Sequence, residues 1–391
     1  MKTLKTTMFV TACMAMMCAC TDQSTLDENQ GSNESNELVE LKINPSIALT
    51  RAAVTGTEGS ALENIAVYSS GTENNYAIYE YSNGGGSGSG SWSAKSGAGN
   101  IYLSKKEVTI FAYYPAYSDA GSTPLKINES SPTTPSATST INVSLNEGET
   151  NDNEKTKIIV ASNATGSINT TAKDIDYMYA VNGANGVNGT DQPTASSTSS
   201  SVSLKMKHAM ALVSFKVIKE NYNNDGKLTK IVLKNKDNSS TTTLNQGDGQ
   251  ATMNISSGNI TLASTAKAAT FTRFIYTGTS ENPTEGYTLI NAANSSPAFS
   301  ILTYPNDTED KSTIEVVVTV DKQTYSVALP NGSNASPTVA DTNPTSTSQV
   351  WAAGKNHLYT LTLKGADLTI SNVTIESWGE PTSMGEPLPL E

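Results

Sequence analysis

Cysteine is almost missing from this chain: its 391 residues hold three, Cys13, Cys18 and Cys20, all within the first twenty positions. Everything after them is thiol-free, which excludes disulfides, zinc–thiolate sites and cysteine nucleophiles from the body. A body without such staples is held by its core, and its length suffices for about two domains of ordinary size. Histidine is scarcer still, with only His208 and His357. A Ser-His-Asp site would need one of them beside an activated serine. His208 falls on an apolar strand face, the setting of a hydrogen-bonded core histidine, and His357, after Gly354-Lys355-Asn356 at a strand start, reads as part of a turn. Charged residues make up only 16%, and Lys+Arg 25 against Asp+Glu 37 leaves a net charge of −12. That balance argues against nucleic acid and anionic membrane surfaces as partners. Helical periodicity is lacking as well: no window of helical length carries a 3.6-residue apolar stripe.

The one long apolar run lies at the start. A basic beginning (Met1, Lys2, Lys5) leads into Met8 through Met17 and then Ala19-Cys20, after which Thr21-Asp22-Gln23-Ser24 is abruptly polar. Residues 1–20 therefore read as a signal peptide, too short to span a membrane. Polar, aperiodic Thr21–Glu37 reads as a flexible tether.

Period-2 alternation begins at Leu38–Ile43, where Val39, Leu41 and Ile43 alternate with charge, and Pro45 ends that strand or confines it to an edge. Further strands are predicted at Asn64–Tyr68, Tyr76–Tyr81, Glu107–Tyr114, Ile141–Leu145 and Lys157–Ala161. Both faces of Val108–Tyr114 are apolar, as a central strand between two layers requires, and Pro115 stops it. A Gly/Asn/Ser/Thr-rich stretch from Asn182 to Ser201 marks a domain boundary. Beyond it Val202, Leu204, Met206, His208 and Met210 share one parity, and Ala211, Val213, Phe215 and Val217 the other. That change of phase predicts a bulge or a strand crossing between sheets. Later strands follow at Lys230–Lys234, Phe271–Tyr276, Thr313–Val320, Tyr325–Leu329, Leu358–Leu363 and Leu368–Ile375. Many short strands with polar turns and no helices give an all-β chain of two consecutive β-sandwich domains, 52–200 and 201–391, after a signal (1–20) and a leader (21–51).

Chemistry has few footholds. Asn221, Asn223, Asp225 and Gly226 match part of a calcium loop, but Val232 stands where the bidentate glutamate belongs, and an Asn-Asp-Gly hairpin turn explains them more simply. Asp307, Glu309 and Asp310 read as a solvated loop tip. Gly84–Gly90 lacks the spacing of a phosphate cradle and reads as a loop. The sixteen tyrosines fit glycan or partner contacts on an exposed face, or cross-strand packing inside. No residue set assembles an active site, so we expect no enzyme, no cofactor and no metal.

Several segments together resemble the fimbrillin family of type V pilins: Thr50-Arg51-Ala52, Val108–Pro115, Asp176-Tyr177-Met178-Tyr179-Ala180, Val202–Val217 and Trp351–Trp378. The resemblance implies transthyretin-like sandwiches and export as a lipoprotein. The segment Met17–Cys20 is similar to a bacterial lipobox, with Met17 where leucine is usual, and Cys20 would carry the lipid, Cys18 being the poorer choice after bulky Met17. It further implies an outer-membrane, cell-surface location in a fimbrium and cleavage between Arg51 and Ala52. That cut would release the first strand with Val39, Leu41 and Ile43, so that a strand from another pilin subunit, of the same or another kind, completes the fold. A host or bacterial surface ligand is a further implied partner. The tail Gly379–Glu391 departs from the stalk pattern, because Pro381, Pro387 and Pro389 cannot donate to a ladder; Leu368–Trp378 is the other donor segment. The alternative reading is a non-polymerising surface lipoprotein that binds a glycan or a host protein.

Overall fold

The computed structural model describes residues 38–47, 62–71, 74–82, 90–96, 99–118, 123–128, 134–148, 153, 155–161, 166–171, 174–183, 191–236, 243–308, 310–330 and 350–378. Apart from one 3-10 turn at Ala293–Ser295, every regular element among them is a strand. The largest sheet runs in the order β2 (Lys42–Ile47), β15 (Ser201–His208), β13 (Met178–Asn182), β7 (Val108–Tyr114), β3 (Asn64–Ser69), β4 (Tyr76–Ser82) and β5 (Ser91–Ala94), with β14 (Thr194–Ala195) beside β7. A seven-stranded sheet runs β11 (Lys157–Val160), β20 (Thr270–Gly278), β17 (Lys227–Asn235), β24 (Ile314–Val320) and β25 (Gln323–Ala328), flanked by β21 (Pro283–Glu285) and β22 (Tyr287–Thr288). A five-stranded sheet runs β12 (Ile168–Asn169), β23 (Ala298–Thr303), β16 (Ala211–Glu220), β26 (Lys355–Lys364) and β27 (Asp367–Ser377). Smaller pieces are β10 (Thr140–Val143) with β18 (Ala251–Asn254) and β19 (Ile260–Thr261), β1 (Val39–Glu40) with β6 (Tyr102–Leu103), and β8 (Tyr117–Ser118) with β9 (Thr123–Pro124).

Alternation sets which side of each strand is buried. In β24, Ile314, Val316, Val318 and Val320 are buried and the residues between them half-exposed, and they meet Val213, Phe215, Tyr359 and Leu361 of the five-stranded sheet in one core. Two facing sheets with their inward residues interlocked form a sandwich. β7 behaves as its sequence predicts: Ile110 and Ala112 enter the core beneath the largest sheet, while Phe111 and Tyr113 pack on its other side. The phase change near Met210 is a change of sheet, with β15 in the largest sheet and β16 in the five-stranded one.

Pairing also crosses the boundary expected at 200. β10 pairs with β18, β11 lies parallel to β20, and β12 lies parallel to β23, so part of the first half is laced into the sheets of the second. A buried ion pair ties this lacing down: Arg273 Nη2 lies 2.8 Å from Asp174 Oδ1 and donates to Asn146 O at 2.7 Å.

Candidate functional site

The groove that holds the first strand is the site toward which the sequence pointed. β2 is an edge strand, paired in parallel only with β15 through six residues from Lys42↔Ser201 to Ile47↔Met206. Lys42 donates its N–H to Ser200 O at 2.8 Å, whereas the preceding N–H, of Leu41, turns the other way to Ile101 O at 2.9 Å. In a parallel ladder the N–H groups of alternate residues face opposite edges. Position 45 therefore shares the outward set with 41 and 43, and Pro45 sits where no bond to β15 is lost, as an edge proline must.

Leu41 (1% exposed) and Ile43 (3%) point into a core shared with Tyr79, Ile101, Leu103, Val202 and Leu204. Val39 is half-buried and pairs with Leu103. The Tyr79 hydroxyl donates to Leu41 O at 2.8 Å. Burial, and then the charge of Glu40, push that phenol well above its ordinary pKa, so it remains a donor. This contact was not readable from sequence, because it joins a side chain and a carbonyl that only the fold brings together. Cys20, the processing pair Arg51 and Ala52, the Gly84–Ser89 stretch, Glu309 and the tail from Gly379 lie outside the described residues.

The other donor segment, Leu368–Trp378, lies in β27 of the chain's own sheet, antiparallel to β26, up to Ser377, with Trp378 just beyond the strand. Leu368, Val373 and Trp378 are buried. The Trp378 ring stacks on His208, centroids 4.0 Å apart and planes at 18°, and His208 Nδ1 lies 2.6 Å from Asp176 Oδ2. Three segments that carried the family resemblance thus converge on one buried cluster. Burial raises the Asp176 carboxyl, and the His208 contact opposes that rise. His208 is therefore the hydrogen-bonded core histidine expected.

His357 differs from its expectation. The turn lies before it, at Ala353-Gly354, and His357 is buried within β26. Both ring nitrogens lack a hydrogen-bond partner among the described residues. Burial first, then the charges of Lys311 and Lys355, push its pKa down to about 3. The Asn221–Gly226 turn is not a hairpin either: it links β16 to β17, which belong to different sheets. Its Gly226 and Lys227 N–H groups donate to the Asp321 carboxylate at 2.8 and 2.9 Å. Asp307 and Asp310 are exposed, and among the described residues no three His, Asp or Glu gather to hold a metal. Tyr68, Tyr79, Tyr113, Tyr177 and Tyr359 are buried, so for these the packing role holds.

The sequence pattern of a family described as fimbrillin-like matches residues 50–378. The chain belongs to the fimbrillin-like family. Among solved structures, this fimbrillin-like chain is similar to a provisionally assigned cell adhesion protein from Bacteroides ovatus, with TM-score 0.50 and 16% identity over 88% of this chain and 98% of the other. A second provisionally assigned cell adhesion protein, from Bacteroides uniformis, has TM-score 0.48 and 15% identity over 88% and 99% of the two chains. A fimbrial protein from Bacteroides vulgatus has TM-score 0.48 and 13% identity over 87% and 99%. No curated protein matches in sequence. Membership in the fimbrillin-like family supports a fimbrial or adhesive role at the cell surface, in assembly with other subunits.

Proposed function

We propose that this chain is a fimbrial subunit or fimbria-associated adhesin, exported as a lipoprotein through Cys20 to the outer membrane and assembled by donor-strand completion. Cleavage between Arg51 and Ala52 would release β1 and β2 with Val39, Leu41 and Ile43, while the two sandwich bodies, 52–200 and 201–391 with their exchanged strands, persist. The observation that carries this reading is the seating of β2: it is an edge strand whose ladder runs to β15 alone, yet its Ile43 and the preceding Leu41 fill an apolar groove.

Its departure would leave the β15 edge unpaired and open the pockets of those two side chains. Each side chain contributes about 1.5–3 kcal/mol when buried, before ordering entropy. An open edge above vacant apolar pockets is a template for an incoming strand, whose main chain supplies affinity and whose alternate side chains supply specificity. Refilling therefore follows from proteolysis with no further energy source.

The test is to treat the lipid-free chain with an arginine-specific protease, sequence the new N-terminus and follow particle size by light scattering. A new terminus at Ala52 with growing oligomers, alone or after addition of other pilins, supports the proposal. Resistance of Arg51, or a cut product that stays monomeric with every pilin added, overturns it in favour of a non-polymerising surface lipoprotein.

A further inference from the structure

The start of the chain does not stay on one edge. Val39 and Glu40 of β1 pair antiparallel with Leu103 and Tyr102 of β6, and from Lys42 onward β2 pairs in parallel with β15. Leu41 is the crossing point. Its own N–H donates to Ile101 O at 2.9 Å on the β6 side, and the next N–H, of Lys42, donates to Ser200 O at 2.8 Å on the β15 side. The Leu41 carbonyl accepts from the Tyr79 hydroxyl at 2.8 Å. Ile101 and Tyr79 are buried, and Tyr79 is held from both sides, because β4 lies between β3 and β5 in the largest sheet. One buried acceptor and one buried donor, both on parts of the body that the first strand would leave behind, thus face a single residue of that strand.

Given the strand release proposed above, on which this assignment rests, we infer that Tyr79 and the Ile101 carbonyl form a main-chain clamp that selects what enters the groove. The clamp admits an extended strand of another subunit with a non-proline residue at the crossing point and apolar side chains there and two positions on. An empty clamp leaves a donor and an acceptor beside apolar pockets. One residue of an extended chain satisfies both with its N–H and C=O while its side chain fills the Leu41 pocket, which an isolated side chain cannot do. The bound Leu41 shows that arrangement. Proline has no N–H for Ile101 O and is excluded at the crossing point. Four residues on it is admitted, because Pro45 sits where no bond to β15 is lost. Where its prolines fall, more than how many it has, therefore decides whether a strand fits. Tyr79 is the positioning residue of the groove.

The test uses the lipid-free chain cut at Arg51 or, if Arg51 resists, at a specific protease sequence put in its place. Displacement of the chain's own first strand is followed by the fluorescence anisotropy of a labelled peptide with the sequence Leu38–Ile47. In that peptide Leu41→Ala keeps the N–H and loses the pocket-filling side chain, whereas Leu41→Pro loses the N–H as well. The proline peptide is expected to bind at least about tenfold more weakly than the alanine peptide. Tyr79→Phe in the protein is expected to weaken binding of the parent peptide about fivefold. A thioamide in place of the Leu41 carbonyl, a poor acceptor, should weaken binding to a similar degree in wild type and no further in Tyr79→Phe, a coupling that a merely structural tyrosine does not show. Equal binding of the proline and alanine peptides, or a Tyr79→Phe effect that is absent or the same for parent and thioamide peptides, overturns the inference and leaves strand release standing. A cut chain that exchanges its first strand for no peptide overturns both. The proline comparison is made on wild-type protein, so it decides the matter if Tyr79→Phe fails to fold.

Discussion

Near the two ends of the described chain, β2 and β27 are both sheet edges, yet they are held very differently. β2 makes a six-residue parallel ladder with β15, a pairing slightly weaker per residue than an antiparallel one. β27 makes ten antiparallel pairs with β26. The first strand is seated by two fully buried apolar side chains and one tyrosine hydroxyl. The last is followed directly by Trp378, which stacks on a histidine that Asp176 holds from the segment before β13. Trp378 also donates its N–H to Gly354 O at 2.9 Å. Under the proposed assembly, therefore, loss of the first strand would disturb less of the fold than loss of β27.

Trp378→Ala should have the largest effect, a loss of about 3–5 kcal/mol, because a large buried ring leaves a cavity and uncovers His208. Denaturant unfolding measures it, and a loss under about 1 kcal/mol would mean that the last strand is no better anchored than the first. Leu41→Ala is expected to cost about 2–3 kcal/mol, the low end for a buried leucine, because an edge strand can let go locally instead of straining the whole fold. The sharper readout is hydrogen exchange: amides of β2 and β15 should lose protection while β7 and β16 keep theirs. A uniform loss across all four strands would show that β2 is an integral part of the cooperative core.

Much of this contrast is legible in the residues themselves. Alternation at Val39, Leu41 and Ile43 marks a one-sided strand, Pro45 marks an edge, and the doubly apolar Val108–Tyr114 marks a central position, because burial on one or two faces writes itself directly into side-chain order. The parity switch between Met210 and Ala211 likewise records a change of sheet. Partner choice leaves no such trace. Nothing in Thr140–Val143 or Lys157–Val160 says that these strands pair with β18 and β20 rather than with their own neighbours, since long-range pairing is decided by the assembled fold. Ala298–Thr303, buried throughout, has no alternation to read, and the Asn-Asp-Gly signal at residues 224–226 gives a turn without saying which sheets it joins. The Asp176–His208–Trp378 cluster draws on three distant segments, so its residues could be noticed singly but not placed together.

An acid-dependent effect concerns the support of the last strand. His357 pairs with Ile375 of β27, and burial lowers its pKa from 6.5 to about 3. Between those values the unfolded chain binds a proton that the folded chain refuses. Stability therefore falls as pH drops from 6.5 toward 3, by about 1.4 kcal/mol per pH unit at most. Asp176 works in the opposite sense: its raised carboxyl favours the folded state at low pH and costs stability as pH climbs through its folded pKa. The wild-type profile is the sum of such contributions, so the informative quantity is the difference between wild type and His357→Gln, measured by urea unfolding across that window. The variant should lose the acid-side slope that His357 contributes, with exchange in β26 and β27 responding before exchange in β2. Parallel profiles for the two proteins would show that the buried imidazole takes up its proton without opening the fold, and that acid does not distinguish the two edges.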